Sequence, residues 1–160
     1  MHAIPYSCQD ITDDDIAAVT VALRSEALTQ GPAVSAFERA FAHRHRVAHA
    51  VAVSNATAGL HIACLALGVG PGKRVWTSPN SFLASANCAI YCGAEIDFVD
   101  IDPVTRNMSV TALRDKLAAA GDALPHVVIP VDFAGLPCDL AEIRLLADRY
   151  DFRILEDASH

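Results

Sequence analysis

Small polar side chains cluster where an apolar run gives way to a helical pattern, in the stretch VSNATAGLHIACLAL (53–67). Ser54, Asn55 and Thr57 lie at this junction, and Ala56 keeps the turn small. Because a helix N-terminus offers unpaired N–H groups and a partial positive charge, the junction is a candidate phosphate site. An ordinary Ser or Asn helix cap is the alternative. Neither GxGxxG nor a Walker loop occurs, so those two phosphate-binding signatures are excluded.

One aromatic and two ionisable residues are further candidates for ligand contacts. Phe82, in SPNSFLASAN (78–87), falls near the first turn of a predicted helix, where it could stack on a flat ligand or simply pack in the core. Asp157 and His160 follow the apolar run at 152–155, and open α/β sheets bind ligands just past such runs. A helix cap would also explain Asp157, and disorder would leave His160 without a role.

The acidic pair Asp100 and Asp102 supports a different chemistry. The stretch FVDIDPVTRN (98–107) places both residues past a predicted strand, in the DxD spacing of the nucleophile loop of haloacid-dehalogenase-like phosphatases. In such a loop one Asp attacks phosphorus and both hold magnesium. Those loops usually close the first strand of their domain, whereas this one closes the third. An Asp-Pro turn is therefore the preferred interpretation.

Short apolar runs alternate with helical patterns along most of the chain. Such runs, separated by helices of ordinary length, indicate a parallel sheet covered on both faces. The predicted fold class is α/β, in one domain. The predicted strands are 50–54, 74–78, 95–99, 127–131 and 152–155. The predicted helices run from a Thr12 cap to about Leu28, from 34 to 44, up to 67, up to 91, from 109 to 120 and from 139 to 150.

Composition limits the possible partners and compartments. A formal net charge of -7 argues against a nucleic-acid surface, and the one basic cluster, His43 to Arg46, is expected at the polar end of a helix. The N-terminus lacks a signal-peptide pattern and no apolar run approaches membrane-spanning length, so a cytoplasmic location is expected. Five cysteines without a CxxC pair predict neither disulfides nor a metal site. Cys88 and Cys92 are expected to be small buried hydrophobes.

Six motifs in order resemble the N-terminal part of the large domain of DegT/StrS-type sugar aminotransferases, which use pyridoxal 5′-phosphate. The resemblance implies an aspartate-aminotransferase-like (fold type I) domain, a three-layer sandwich with a mostly parallel sheet. Residues 1–160 would be its N-terminal portion, without the small C-terminal domain. The motifs are QGPAVSAFE (30–38), VSNATAGLHIACLALGVGPG (53–72), TSPNSFLASAN (77–87), GAEIDFVDIDPVTRNM (93–108), VVIPVDFAGLPCD (127–139) and ILEDASH (154–160).

The resemblance also implies roles for the candidate residues. Ala56 and Thr57 would hold the cofactor phosphate, and Phe82 would stack on the pyridine ring. Asp157 would pair with the ring nitrogen, and His160 would lie beside the ring hydroxyl. Tyr6 and Gly31 would border the sugar site, although a packed tyrosine and a turn glycine are equally good interpretations.

The implied reaction transfers an amino group from glutamate to a 4-keto nucleotide sugar, in a homodimeric enzyme. Among subfamilies, the segments SPNSF, NCAIYCGA and DFAGLPCD are most similar to the transaminases of pseudaminic acid synthesis. The implied product is UDP-4-amino-4,6-dideoxy-N-acetyl-altrosamine.

The sequence departs from the family in its lysines and at Asp132. Neither Lys73 nor Lys116, its only two lysines, matches the family's Schiff-base lysine, which would fall beyond His160, so no catalytic residue is assigned. The isolated chain is expected to be inactive and, with a sheet edge uncovered, to associate. A non-catalytic α/β module is the alternative. Asp132-Phe133 stands where many relatives have His followed by an aromatic.

Overall fold

Six helices and four short strands form the secondary structure of the described residues, 8–29 and 31–160, of the computed structural model. The chain divides into two units, Met1–Ala52 and Val53–His160. The helices are α1 (Asp13–Leu23), α2 (Pro32–His45), α3 (Ala56–Ala66), α4 (Ala84–Tyr91), α5 (Val110–Ala119) and α6 (Leu140–Tyr150). The strands are β1 (Arg74–Thr77), β2 (Glu95–Phe98), β3 (Val127–Ile129) and β4 (Arg153–Ile154).

The first helix begins where the sequence predicts and ends earlier. The Thr12 hydroxyl accepts a hydrogen bond from the Asp15 N–H at 3.3 Å, and the Asp15 carboxylate accepts one from the Thr12 N–H at 2.8 Å, which makes a capping box. The helix was expected to reach Leu28, but α1 ends at Leu23. The Ser25 hydroxyl donates to the Ala22 carbonyl at 2.7 Å, so a side chain competes with the backbone for this acceptor.

Glycine and proline begin the second helix. Gly31 is its N-cap and Pro32 its first residue, the position where a missing N–H costs nothing. A Cβ at Gly31 would lie 2.3 Å from the Ala27 carbonyl oxygen, so only glycine fits. The last turn holds His43, Arg44 and His45, which confirms that the basic cluster lies at the helix end where cations are favoured.

The predicted strand at 50–54 is wrong, because no described residue forms a ladder with it. The Ala52 N–H donates instead to the Glu38 carboxylate at 2.9 Å, and Val51 is 75% exposed. An apolar run becomes a strand only when a neighbouring strand supplies hydrogen-bond partners. The sheet described here therefore has four strands rather than five.

All four strands are parallel, in the order β2-β1-β3-β4. Helices α4, α5 and α6 each connect one strand to the next, as parallel pairing requires. Val75 of β1 pairs with Ile96 of β2 on one side and with Val127 of β3 on the other. The predicted α/β class with a parallel sheet is confirmed.

Two hydrophobic cores, one on each face of the sheet, make the unit a three-layer sandwich. Successive strand residues point to opposite faces, so Val127 belongs to the core with α3 and α4, while Val128 belongs to the core with α5 and α6. Cys64 and Cys88 are fully buried in the first core, which confirms that Cys88 is a small buried hydrophobe, whereas Cys92 is half-buried. No described helix is both long and apolar enough to cross a lipid bilayer.

Ile143 of α6, which is 0% exposed, tests the packing of the second core. Ile143→Ala is expected to lower the free energy of unfolding by about 2–5 kcal/mol, and Ile143→Val by about 0.5–1.5 kcal/mol, because the larger truncation leaves the larger cavity. Urea unfolding of both variants measures the two values. Equal costs would contradict the buried position of this side chain.

Candidate functional site

A cavity of about 260 Å³ lies at the carboxyl edge of the sheet, beside the N-termini of α3 and α4. It contains all five residues that the sequence predicted to contact a cofactor, although they are far apart along the chain. Parallel strands place their carboxyl ends at one edge, which brings these residues together. The lining residues are Ala56, Thr57, Leu60, Ser81, Phe82, Ala84, Val131, Asp157, Ser159 and His160.

The α3 N-terminus presents free backbone donors to this cavity. Asn55 caps the helix, since its side-chain oxygen accepts from the Ala58 N–H at 2.9 Å. Within the part of the chain that the structure describes, the Ala56 and Thr57 N–H groups have no acceptor. The cap and the anion site therefore coexist, with two N–H groups and the Thr57 side chain available at the positive end of a helix.

Phe82 lies two residues before α4, and its carbonyl accepts from the Ser85 N–H at 3.2 Å as the helix begins. Its side chain is 72% exposed, so it does not pack in either core. An exposed aromatic ring beside a cavity offers a flat apolar face to a ligand.

Asp157 is buried, at 6% exposure, and it extends the pairing of β3 with β4. Its N–H donates to the Pro130 carbonyl at 2.9 Å, and its carbonyl accepts from the Asp132 N–H at 3.0 Å. Both carboxylate oxygens accept serine hydroxyls: Oδ2 from Ser85 and Oδ1 from Ser159, each at 2.5 Å. Asp157 is a buried acceptor held by the sheet, and it does not cap any described helix.

His160 also lines the cavity. Its Nδ1 accepts from the Ala134 N–H at 3.2 Å, and its ring lies 6.3 Å from the Phe133 ring. Ala134 has a φ of 54°, which turns the backbone of the β3–α6 loop toward the histidine. Because Nδ1 is an acceptor, a neutral His160 carries its proton on Nε2.

Asn107 braces the same loop from within the protein. Its Nδ2 donates to the Leu136 carbonyl at 2.8 Å and its Oδ1 accepts from the Phe133 N–H at 2.9 Å. The side chain is 4% exposed. Asn107 therefore fixes the backbone that contacts His160.

Asp132 stabilises the loop from its other end. Its Oδ1 accepts from the Cys138 N–H at 2.8 Å. Burial and the neighbouring Asp132 carboxylate raise the pKa of the Cys138 thiol to about 12. Burial, and then the interaction with Asp132, also raise the pKa of Glu156 above its ordinary value. Asp132 and Glu156 thus place two further carboxyl groups near Asp157 at this edge of the sheet.

Comparison with known proteins identifies the family. Residues 9–160 match the DegT/DnrJ/EryC1/StrS aminotransferase family. The chain belongs to this family. The resemblance read from the six motifs is confirmed.

Relatives in this family are longer than the chain. The spore coat polysaccharide biosynthesis protein SpsC of Bacillus subtilis (strain 168) is 42% identical over 159 residues, which are 99% of this chain and 40% of SpsC. Spr1654 from Streptococcus pneumoniae, in its PLP form, has a TM-score of 0.87 at 29% identity over 99% of this chain and 43% of that one. Helicobacter pylori PseC, an aminotransferase involved in the biosynthesis of pseudoaminic acid, has a TM-score of 0.90 at 26% identity. The match covers 98% of this chain and 41% of PseC. The chain thus spans about two fifths of these relatives, and it has their fold.

Neither of the two lysines of the chain lines the cavity. Lys73 directly precedes β1, at the edge of the sheet opposite the cavity. Lys116 is committed elsewhere, since its Nζ lies 2.7 Å from the Asp97 carboxylate, donates to the Phe98 carbonyl at 2.6 Å and lies over the Trp76 ring.

The acidic pair Asp100 and Asp102 forms a turn in this family member. Asp102 Oδ1 accepts from the N–H groups of Val104 and Thr105 at 2.8 and 2.9 Å. These backbone hydrogen bonds, from Thr105 first, lower the pKa of Asp102. The Asp-Pro turn preferred from the sequence accounts for this geometry.

The two candidate sugar contacts belong to the first unit of the chain, Met1–Ala52. Tyr6 falls outside the described residues. Gly31 has a backbone role, because the Ala27 carbonyl lies too close for a side chain at this position. Its contact with substrate stays a prediction.

Sequence reasoning missed the polar residues that support the site. These residues are Ser85, Asn107 and Ser159. Ser85 and Asn107 bond partners distant in sequence, which no local pattern reveals. Ser159 carried one available signal, because a serine two residues after an aspartate can donate back to it.

Asn107 provides a test of the loop. Asn107→Ala is expected to cost about 1–3 kcal/mol in unfolding free energy, because the Leu136 carbonyl would lose its donor and the Phe133 N–H would keep only the Val131 carbonyl. Asn107→Asp keeps the acceptor but loses the donor. Its cost should shrink as the pH falls, because a protonated carboxyl can donate to the Leu136 carbonyl. Urea unfolding over a pH series measures both effects, and a pH-independent cost for the Asp variant would contradict this contact.

Proposed function

We propose that the protein is a pyridoxal-phosphate-dependent transaminase that moves an amino group from glutamate to the keto carbon of a nucleotide-linked sugar. The observation that carries the proposal is one cavity with unpaired helix N–H groups at one end and a buried carboxylate at the other. The PLP form of Spr1654 and the family assignment support the same cofactor.

The donors at the α3 N-terminus fit the phosphate of this cofactor. The N–H groups of Ala56 and Thr57 have no acceptor among the described residues, and the Thr57 hydroxyl adds a third donor. A helix N-terminus stabilises a dianion through these donors and through its partial positive charge.

The remaining cavity residues fit an aromatic ring with a basic nitrogen and a hydroxyl. The exposed Phe82 ring offers a stacking face, and the Asp157 carboxylate offers an acceptor for a protonated ring nitrogen. His160 offers its Nε2–H to an oxygen, since Ala134 occupies Nδ1. When bound, pyridoxal phosphate supplies an electron sink for the bond that breaks at the amino carbon. Asp157 would hold a proton on the ring nitrogen, which this sink requires.

The proton-transferring lysine belongs to the rest of the full-length protein. A lysine with this role must reach the amino carbon in the cavity, whereas Lys73 is at the other edge of the sheet and Lys116 is paired with Asp97. In this proposal, residues 1–160 are the N-terminal portion of the large, cofactor-binding domain of a longer protein with a smaller C-terminal domain, which agrees with the two fifths of its relatives that the chain spans. Alone, the chain would bind the cofactor without a covalent link and would not turn over.

The proposed substrate is a 4-keto-6-deoxy nucleotide sugar used for a surface glycan. SpsC is a spore coat polysaccharide biosynthesis protein and PseC takes part in the biosynthesis of pseudoaminic acid, which supports this class. The proposed product is UDP-4-amino-4,6-dideoxy-N-acetyl-altrosamine, made by a cytoplasmic homodimer. The acidic chain makes a nucleic-acid partner unfavourable.

Asp157 gives the decisive test in the full-length protein. Asp157→Asn is expected to slow the reaction with glutamate about 100-fold or more, since the ring nitrogen loses its buried charged partner. Stopped-flow absorbance of the bound cofactor after mixing with glutamate measures this half-reaction.

Asp100→Asn is the matched control, because Asp100 is an exposed carboxylate that also follows a strand. This variant should react like wild type. Wild-type protein that shows no visible absorption change with pyridoxal phosphate and glutamate would overturn the proposed function. Magnesium-dependent phosphate release lost in Asp100→Asn would instead establish the phosphatase.

The substrate class is tested separately. The aminated protein is mixed with 4-keto-6-deoxy sugars linked to UDP, dTDP or GDP, and cofactor absorbance is followed. Return of the absorbance with the UDP sugar alone is expected, and reaction only with another nucleotide would refute the UDP assignment.

A further inference from the structure

We infer that Ser85 is a positioning residue, which orients the Asp157 carboxylate so that Oδ2 receives the protonated ring nitrogen. The inference rests on the proposed function, because it concerns the same cofactor. It starts from a contact that joins two distant parts of the chain. Ser85 in the first turn of α4 is 1% exposed, and its hydroxyl lies 2.5 Å from Asp157 Oδ2.

The donors around Asp157 distinguish its two oxygens. Oδ1 accepts twice from Ser159, from the hydroxyl at 2.5 Å and from the N–H at 3.3 Å. Oδ2 accepts once, from Ser85. A carboxylate oxygen has two lone pairs, so Oδ1 is saturated and Oδ2 keeps one open acceptor position.

The single proton of Ser85 has three possible acceptors: the Ser81 hydroxyl, the Phe82 carbonyl and the Asp157 carboxylate. The Phe82 carbonyl is 3.2 Å away, and Asp157 Oδ2 is both closer and charged. Hydrogen bonds to a charged acceptor are shorter and stronger, so the proton is directed to Asp157. Ser81, which lines the cavity, lies within hydrogen-bonding distance of the Ser85 hydroxyl and can donate to it.

This arrangement links the carboxylate to the segment that carries the stacking ring. Ser85 is three residues after Phe82 and bonds that residue's carbonyl through its N–H. The Ser85 hydroxyl therefore fixes the carboxylate relative to the Phe82 backbone. Loss of the hydroxyl would free the carboxylate to rotate and would make its ionised form less stable. Both effects would move the proton that lies between Asp157 and the ring nitrogen away from the nitrogen.

The test uses full-length protein loaded with pyridoxal phosphate labelled with ¹⁵N in the ring. The NMR chemical shift of that nitrogen reports its protonation, and fluorescence titration gives the cofactor Kd. Ser85→Ala is expected to move the shift toward the unprotonated value and to raise Kd about tenfold, since a hydrogen bond to a charged group is lost. Ser85→Thr retains the hydroxyl and should restore the wild-type shift.

Ser78→Ala is the control for deletion of a buried serine hydroxyl. Ser78 directly follows β1, is 2% exposed, and its hydroxyl contacts the Asn80 N–H rather than Asp157. Its shift and Kd should equal those of wild type. If Ser85→Ala fails to fold, Ser85→Cys replaces it, because a thiol has nearly the same shape and donates weakly.

The outcomes separate this inference from the proposed function. A wild-type protein that does not bind the labelled cofactor would overturn both. Wild-type binding, with a ring-nitrogen shift unchanged in Ser85→Ala or Ser85→Cys, would overturn the positioning role alone. A shift that moves in Ser85→Ala and returns in Ser85→Thr, with no change in Ser78→Ala, would support it.

Discussion

A buried carboxylate needs hydrogen-bond donors in place of water, and the candidate site is organised around that requirement. Asp157 loses most of its contact with water, and two serine hydroxyls replace it. One hydroxyl comes from the loop that contains Asp157, and the other comes from α4, 72 residues earlier in the chain. The carboxylate therefore joins the sheet to the helix that follows β1, at the edge where the cavity opens.

The parallel sheet supplies the remaining geometry. Each strand delivers the following segment to the same edge, so α4 and the segments after β3 and β4 meet there. The isolated pairing of Val131 with Asp157 continues the ladder beyond the regular strands and fixes the backbone position of Asp157 relative to the sheet. The β3–α6 loop, braced by Asn107, then places the Ala134 N–H against His160. Rigid backbone thus positions groups that are far apart in sequence.

Sequence reasoning succeeded where local physical chemistry decides the outcome. The Thr12 capping box, the helix positions and the parallel strands follow from short patterns. The family motifs also gave five residues that the fold brings to one cavity, and their contact with a cofactor stays a prediction. It failed at 50–54, since an apolar run carries no information about whether a pairing strand is present. It also failed at Ser85, because an isolated serine in a helix does not reveal a carboxylate distant in sequence. The features predicted correctly depend on local propensities, whereas the features that were missed depend on contacts between distant parts of the chain.

The two ends of the cavity have opposite electrostatic character, and this difference favours one orientation of a bound ligand. The α3 N-terminus offers donors and partial positive charge, whereas the sheet edge holds Asp157 with Glu156 and Asp132 nearby. Burial, and then the interaction with Asp132, raise the pKa of Glu156 above its ordinary value. A molecule with an anionic phosphate and a basic ring nitrogen at opposite ends matches this field in one orientation only. The reversed orientation would place a phosphate against a buried carboxylate, where the repulsion has little water to screen it. The polarity of the cavity therefore selects how the proposed cofactor enters, before any covalent link forms.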